Sequence, residues 1–363
     1  MMTIGIDARE LLGETTGVGR YLGELLRRWI LRPDAGSRQF LLYTPEALPF
    51  MRTVPTGAHV REIVVGSGRG TWWEQTHLRR AVRADPPDVF FASAYTAPLA
   101  LGVPLAVTIH DVSFAAAPHW FRPREGARRR LLTRQAARAA DVIFTVSEFS
   151  RREIAERLSV PMDRIRVTYE SVTPRPIRPG ARDPLVLYVG SVFNRRRLPS
   201  TIAAFAAATD DRPDARLIIA GADRSYPALD LAGLAAEAGV GARVEIKSYV
   251  TEAELDDLYS RASVFIFLSE YEGFGLTPLE ALSADVPVVV LDTPVAREIY
   301  GEAAWYVPRE RDVAGAAEAI RTLLEDAVSR ERILTNAGPV LARYSWDAAA
   351  DATLAAIEGV VRA

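Results

Sequence analysis

Short, nearly continuous apolar runs alternate with longer stretches of helical periodicity along the whole chain. In the first half the runs predict strands at Thr3–Asp7, Gln39–Thr44, Val60–Val65, Val89–Ser93, Leu105–His110, Val142–Ser147 and Ile165–Tyr169. In the second half they predict strands at Leu185–Gly190, Arg216–Gly221, Arg243–Lys247, Val264–Leu268 and Val286–Leu291. Apolar runs without alternation mark strands covered on both faces, hence parallel sheets in α/β layers. Between the halves, Thr173–Pro184 (TPRPIRPGARDP) has no periodicity and is dominated by Pro, Arg and Gly, which reads as a linker. The pattern therefore predicts a first Rossmann-like domain over 1–173, a linker over 174–184 and a second such domain over 185–345. A final amphipathic helix over 346–363, capped by Ser345, is expected to cross back to the first domain. Sheets of this kind bind ligands at the carboxyl ends of their strands, so chemistry is expected just after the apolar runs.

Length and composition narrow the classes. The 363 residues suit two domains, and a formal net charge of -2 gives no global field for nucleic acid. The absence of cysteine removes disulfides, thiolate metal sites and cysteine nucleophiles. The four histidines, His59, His77, His110 and His119, show no metal-ligand spacing, so no metal site is expected. The N-terminus lacks a basic n-region, and no apolar run approaches the roughly 20 residues of a membrane span. A cytoplasmic protein is expected.

Two stretches hold more chemistry than packing requires. Ser269–Leu282 (SEYEGFGLTPLEAL) follows a buried strand. Its Thr277, Pro278 and Glu280 match a capping box, which gives Glu280 a structural role. Glu272 has no cap to serve, and glycines beside a helix N-terminus suit an anion or a polyhydroxyl ligand. Tyr188–Pro199 (YVGSVFNRRRLP) opens the second half. Arg195, Arg196 and Arg197 at a helix start oppose the helix dipole, a cost that a bound diphosphate would offset.

The stretch EGFGLTPLE resembles the donor-site motif of the retaining GT-B glycosyltransferases of family 4, E-G-F-G-x-x-x-x-E. The resemblance spans nearly the whole chain, with its strongest motifs in 185–300. It implies two Rossmann-like domains facing a central cleft and a nucleotide-diphosphate sugar as donor, with no cofactor and no metal. It also implies site roles. Glu272 would contact the donor sugar, the backbone of Gly273, Phe274, Gly275, Leu276 and Thr277 would hold sugar hydroxyls, and Glu280 would bind the ribose. Arg195 and Arg196, with Gly190 and Ser191, would hold the diphosphate, and the backbone near Tyr249 and Val250 would read the base. From the first domain, Gly17 and Gly19 resemble the family's first loop, although Thr16 replaces a common glycine. His110, in VTIHDVSF, would stand beside the transferred sugar, with Asp111 next to it. Arg20, Tyr21, Trp72 and Trp73 are candidates for the acceptor side, the tryptophans alternatively for packing. Ser147 and Ser150 match a second family motif and are expected to cap a helix. Ala284 and Asp285 depart from the family's Cys-Gly.

The stretch His119–Asp141 carries seven arginines and one glutamate. It reads as a solvated helix face, or as a patch over 119–138 for anionic lipid at the inner face of the membrane. The sequence thus points to a metal-independent hexosyltransferase with a glycan or lipid-linked acceptor. Two alternatives are a GT-B sugar-nucleotide epimerase and a non-catalytic two-domain sugar-binding protein. A pyridoxal-dependent phosphorylase is disfavoured, since Lys247 is the single lysine.

Overall fold

A computed structural model describes residues 1–13, 16–177 and 182–362. The described chain divides into two compact units. The first comprises Met1–Ala116, Pro123–Glu170 and Ser345–Ala363, and the second Ala117–Arg122 and Ser171–Tyr344. Residues 178–181 of the expected linker lie outside the described residues, as do Glu14 and Thr15.

In the first unit the described strands are β1 (Met2–Asp7), β2 (Arg38–Thr44), β3 (Val60–Val64), β4 (Val89–Ala92), β5 (Leu105–Thr108), β6 (Val142–Thr145) and β7 (Ile165–Val167). They form one sheet of order β3-β2-β1-β4-β5-β6-β7, with every pair parallel. The chain reverses its direction of strand addition between β1 and β4, and that switch point is where such sheets bind ligands. The helix Gly17–Leu31 covers β1, burying Tyr21, Leu22, Leu25, Leu26 and Trp29 along one stripe. The Trp29 ring stacks on Phe40 at 5.9 Å and meets Phe91 edge-on at the same distance. The helix Trp346–Arg362 completes this core with Trp346, Ala350, Leu354 and Ile357, and Trp29 Nε1 donates to the Ala350 carbonyl at 2.8 Å. Ser345 Oγ accepts from Ala348 N at 3.3 Å, the expected cap.

The second unit contains β8 (Leu185–Val189), β9 (Arg216–Ala220), β10 (Val244–Lys247), β11 (Val264–Phe267), β12 (Val288–Leu291) and β13 (Trp305–Val307). Their order is β10-β9-β8-β11-β12-β13, again parallel throughout. The switch point lies between β8 and β11. Every predicted strand is present, most of them shorter than read by one or two residues at an end. β13, a three-residue edge strand, carries too short an apolar run to announce itself. Both units are thus Rossmann-like, as the apolar runs predict.

Candidate functional site

At the second switch point, the loops after β8 and β11 lie side by side, since Glu270 N donates to the Arg195 carbonyl at 2.9 Å. The first loop leaves β8 through Gly190, whose φ of +139° and close approach to Arg196 suit only glycine: a Cβ there would lie 2.5 Å from Arg196 Nη1. Arg196 Nη1 donates to the Ser191 carbonyl at 2.9 Å, so the loop closes on itself. Arg195 is buried, donates from Nε to the Tyr271 carbonyl at 3.1 Å and stacks over Phe193 at 4.2 Å.

Glu272 and Arg196 form a two-point ion pair, Nε to Oε1 at 2.8 Å and Nη2 to Oε2 at 3.3 Å. Ser269 Oγ donates to Glu272 Oε1 at 2.8 Å, and Arg195 Nε is 3.9 Å from the same oxygen. This corrects the expectation that Glu272 has no structural work: it neutralises a buried guanidinium. The arginine run is corrected likewise. Arg197 pairs with Glu270 and Asp312, both at 2.6 Å, so the protein's own carboxylates offset the charge. Burial pushes the Glu272 carboxyl up, but Arg196, Arg195 and Ser269 outweigh it and hold the group below its ordinary value. Burial disfavours the Arg196 cation, and the Glu272 carboxylate more than restores it. The pair is charged, with Arg195 beside it.

The capping box is also corrected. The helix spans Leu276–Ser283 with Gly275 as N-cap at φ +96°, and no side chain caps it. Thr277 already lies in the first turn. Tyr300 Oη donates to the Gly275 carbonyl at 3.0 Å and fixes this helix start. The first-turn N–H groups, from Leu276 onward, have no partner within the helix by α-helical geometry and present its positive end beside Glu272. Glu280, 2% exposed, instead points into a polar cluster. Its Oε2 accepts from Tyr259 Oη at 3.1 Å and lies 3.4 Å from Arg175 Nη2. Arg175 also pairs with Glu252 and Asp256 at 2.8 Å. Asp285 takes φ +56°, which explains why the family places glycine there, and Asp tolerates this conformation better than most residues. Val250 follows β10, just before the capping box of the helix Glu252–Arg261, in which Thr251 and Glu254 satisfy each other. Trp120, which the sequence placed in the basic stretch His119–Asp141, meets Tyr271 edge-on at 6.5 Å.

In the first unit, Gly17 and Gly19 occupy the first turn of the helix Gly17–Leu31. Thr16, the replacement for a family glycine, is its N-cap: Oγ1 accepts from Gly19 N at 3.1 Å. A Cβ on Gly19 would lie 2.4 Å from the Glu10 carbonyl oxygen, so backbone contact requires the glycine. His110 is buried at the end of β5, with Nε2 3.0 Å from the Ser93 carbonyl and Nδ1 3.4 Å from Glu170. Tyr21 stands edge-on to it at 4.9 Å. Asp111 accepts from Tyr95 Oη at 3.0 Å and from Ser113 N at 2.7 Å. Ser147 caps the helix Glu148–Leu158, and Ser150 Oγ donates to the His110 carbonyl at 3.1 Å. Arg20 is half-buried on the same helix as Tyr21.

Trp73 is buried and donates from Nε1 to the Val65 carbonyl at 2.6 Å, so it packs, whereas Trp72 is 76% exposed. Beside Trp73 stands a cluster the sequence did not reveal. Arg9 Nη2 lies 2.9 Å from Asp7 and also pairs with Glu74, which accepts from Thr96 Oγ1 at 2.6 Å. Glu74 begins a π-helical turn, Glu74–Leu78, and is 1% exposed. The only sequence signal was two charges at the end of an apolar strand.

The helix Pro123–Ala139 buries only Gly126, Thr133, Ala136 and Ala137, which matches a solvated face. Among the described residues, no helix is long and apolar enough to cross a membrane, and no group of three or more His, Asp or Glu is placed to hold a metal ion.

Comparison with known proteins bears on this arrangement. The family model Glycosyltransferase Family 4 matches residues 15–175, and Glycosyl transferases group 1 matches residues 173–338. The chain is 30% identical over 256 residues to O-antigen chain mannosyltransferase B of Escherichia coli, covering 66% of each. It is 30% identical over 264 residues to the GDP-mannose:cellobiosyl-diphosphopolyprenol alpha-mannosyltransferase of Xanthomonas oryzae, covering 70% of this chain and 67% of that one. It is 29% identical to an uncharacterized glycosyltransferase of Methanocaldococcus jannaschii, where the match spans 58% of each. Among solved structures, the sucrose-phosphate synthase of Thermosynechococcus elongatus superposes with a TM-score of 0.76 at 20% identity, covering 99% of both chains. Anabaena HepE in complex with UDP-glucose superposes with a TM-score of 0.78 at 17% identity, covering 99% of this chain and 100% of that one. These two likenesses show the fold, and with the family models and the bacterial relatives they establish that the chain belongs to glycosyltransferase family 4, glycosyl transferases group 1, with the GT-B fold.

Proposed function

We propose that the protein is a retaining glycosyltransferase that moves a hexose-type sugar from a nucleotide-diphosphate sugar, of the GDP-mannose or UDP-sugar type, to a glycan or lipid-linked acceptor in cell-surface polysaccharide or glycolipid assembly. The observation that carries this reading is the convergence of Arg195, Arg196, Glu272 and the Leu276 helix start at one switch point. The arginines and the helix N-terminus would stabilise charge on the departing diphosphate, which is electrostatic catalysis without a metal. Glu272 would orient the sugar and Glu280 the ribose, and the family resemblance gives His110 a role beside the transferred sugar. The mannosyltransferase names of two relatives favour a mannosyl donor.

A thermal-shift panel of UDP, GDP, ADP and their sugars, followed by product formation from the best labelled donor, tests the reading. An anomeric proton coupling in the product that matches the donor's configuration, and full rate in EDTA, are expected. Inversion or loss of rate in EDTA would overturn the retaining or the metal-independent part. The proposed place of action is the cytoplasm, with peripheral contact through 119–138 at the inner membrane face. The exposed arginines of that helix and Leu131, 58% exposed, support it. Co-sedimentation with anionic but not neutral vesicles is the expected result.

A further inference from the structure

His110 and Glu170 lie beyond the carboxyl ends of β5 and β7, and both are buried. The ring has one nitrogen on each of two acceptors. A backbone carbonyl only accepts, so the Ser93 oxygen, 3.0 Å from Nε2, requires a proton on that nitrogen. A neutral ring would then turn the Nδ1 lone pair toward Glu170 Oε1 at 3.4 Å, acceptor against acceptor. A second proton on Nδ1 removes that conflict and satisfies a buried carboxylate at the same time.

Asp111 is engaged by Tyr95 and by Ser113 N. Tyr21, from the helix Gly17–Leu31, meets the ring edge-on, and burial pushes its phenol up to about 12, so it is neutral. Tyr95, from the loop after β4, lies 5.6 Å away, and Ser150, from the helix Glu148–Leu158, donates to the His110 carbonyl.

We propose that Glu170 is the positioning residue of His110: it accepts the Nδ1 proton and keeps the ring a cation through neutral pH, so that a fixed positive charge stands at the carboxyl end of β5. In agreement, burial pulls the His110 ring down from its ordinary value, but Glu170, the Ser93 carbonyl and Asp111 together raise it. This deepens the proposed function and rests on it for the kinetic consequence only.

The test is a histidine-selective NMR titration of the whole protein, with His110 assigned from the resonance lost in His110→Gln. The wild-type midpoint is expected above the ordinary value of about 6.5. Glu170→Gln should lower it by about one pH unit or more, and Glu170→Asp by less. A wild-type midpoint below the ordinary value, or the same midpoint in Glu170→Gln, overturns the proposal. If Glu170→Gln does not fold, the wild type and Glu170→Asp decide. In kinetics, Glu170→Gln should move the alkaline limb of kcat/KM downward by the same interval, with about tenfold loss above the new midpoint and recovery below it. A loss equal at every pH would mark a structural role only and overturn the proposal. Should no nucleotide sugar be turned over, the glycosyltransferase reading fails while the titration still judges the pair.

Discussion

Arg196 and Glu272, 76 positions apart in sequence, face each other through two parallel contacts, Nε to Oε1 at 2.8 Å and Nη2 to Oε2 at 3.3 Å. The two residues with the strongest claim to donor chemistry are therefore also each other's structural partners. Removing one leaves an uncompensated buried charge, which typically costs about 3–5 kcal/mol. Alanine at either position is thus expected to lower stability as well as transfer. Chemical denaturation of Glu272→Ala and Arg196→Ala, followed by fluorescence, checks this. A midpoint equal to wild type would mean that the pair contributes nothing to the fold.

Glu280 is held by Tyr259 Oη and Arg175 rather than by a helix cap. If it binds the ribose, its orientation depends on Tyr259. Tyr259→Phe should raise the donor KM several-fold, by roughly 1 kcal/mol for one hydrogen bond, with kcat little changed. Steady-state kinetics across donor concentrations measures it. An equal fall in kcat at unchanged KM would place Tyr259 elsewhere in the mechanism.

Gly275 combines φ +96° with a Cβ position 2.1 Å from Tyr300 Oη. Gly275→Ala should therefore disturb the helix start and cost about 2 kcal/mol or more from backbone strain and clash. Nucleotide affinity should fall with it, because the same turn aims the helix N-terminus. Isothermal titration and thermal melts of this variant give both quantities. Wild-type values in both would show that the turn relaxes without consequence.

Asp7 shares Arg9 with Glu74, two carboxylates on one guanidinium. Burial pushes the Asp7 carboxyl up, Arg9 restrains the rise and Glu74 adds to it, leaving about 6. A raised folded-state value means that the stability Asp7 contributes is present in full below its ordinary value and is lost as pH rises through 6. Asp7→Asn removes this loss. Its melting temperature relative to wild type should climb between pH 4 and pH 7.5, with a ceiling of about 3 kcal/mol at about 1.4 kcal/mol per pH unit. A constant difference across that range would contradict the assignment.

Much of this was legible in the sequence, and the failures have physical reasons. Parallel strands buried on both faces print themselves as apolar runs, so β1 to β12 could be read, while a three-residue edge strand such as Trp305–Val307 could not. Thr251 and Glu254 form a capping box, yet the same Thr-x-x-Glu signature at Thr277 and Glu280, read as one from the sequence, does not. There the glycine before it, held by Tyr300, starts the helix earlier and turns Glu280 toward Tyr259. Motif spacing found Glu272 and Arg196 but not their bond, because a contact between two loops leaves no trace along the chain. Glu170 and Glu74 were invisible for the same reason: each matters only through what the fold brings to it.

The helix that begins at Trp346 supplies Trp346, Ala350, Leu354 and Ile357 to the core of the first unit, although residues 171–344 form most of the second. On the ribosome this sets an order of assembly. The sheet of the first unit leaves the exit tunnel early, with the hydrophobic surface around Trp29 uncovered. It must wait until the second unit has been synthesised before its closing helix arrives. The second unit, nearly continuous in sequence, has all its strands at hand by then. The domain made first is completed last.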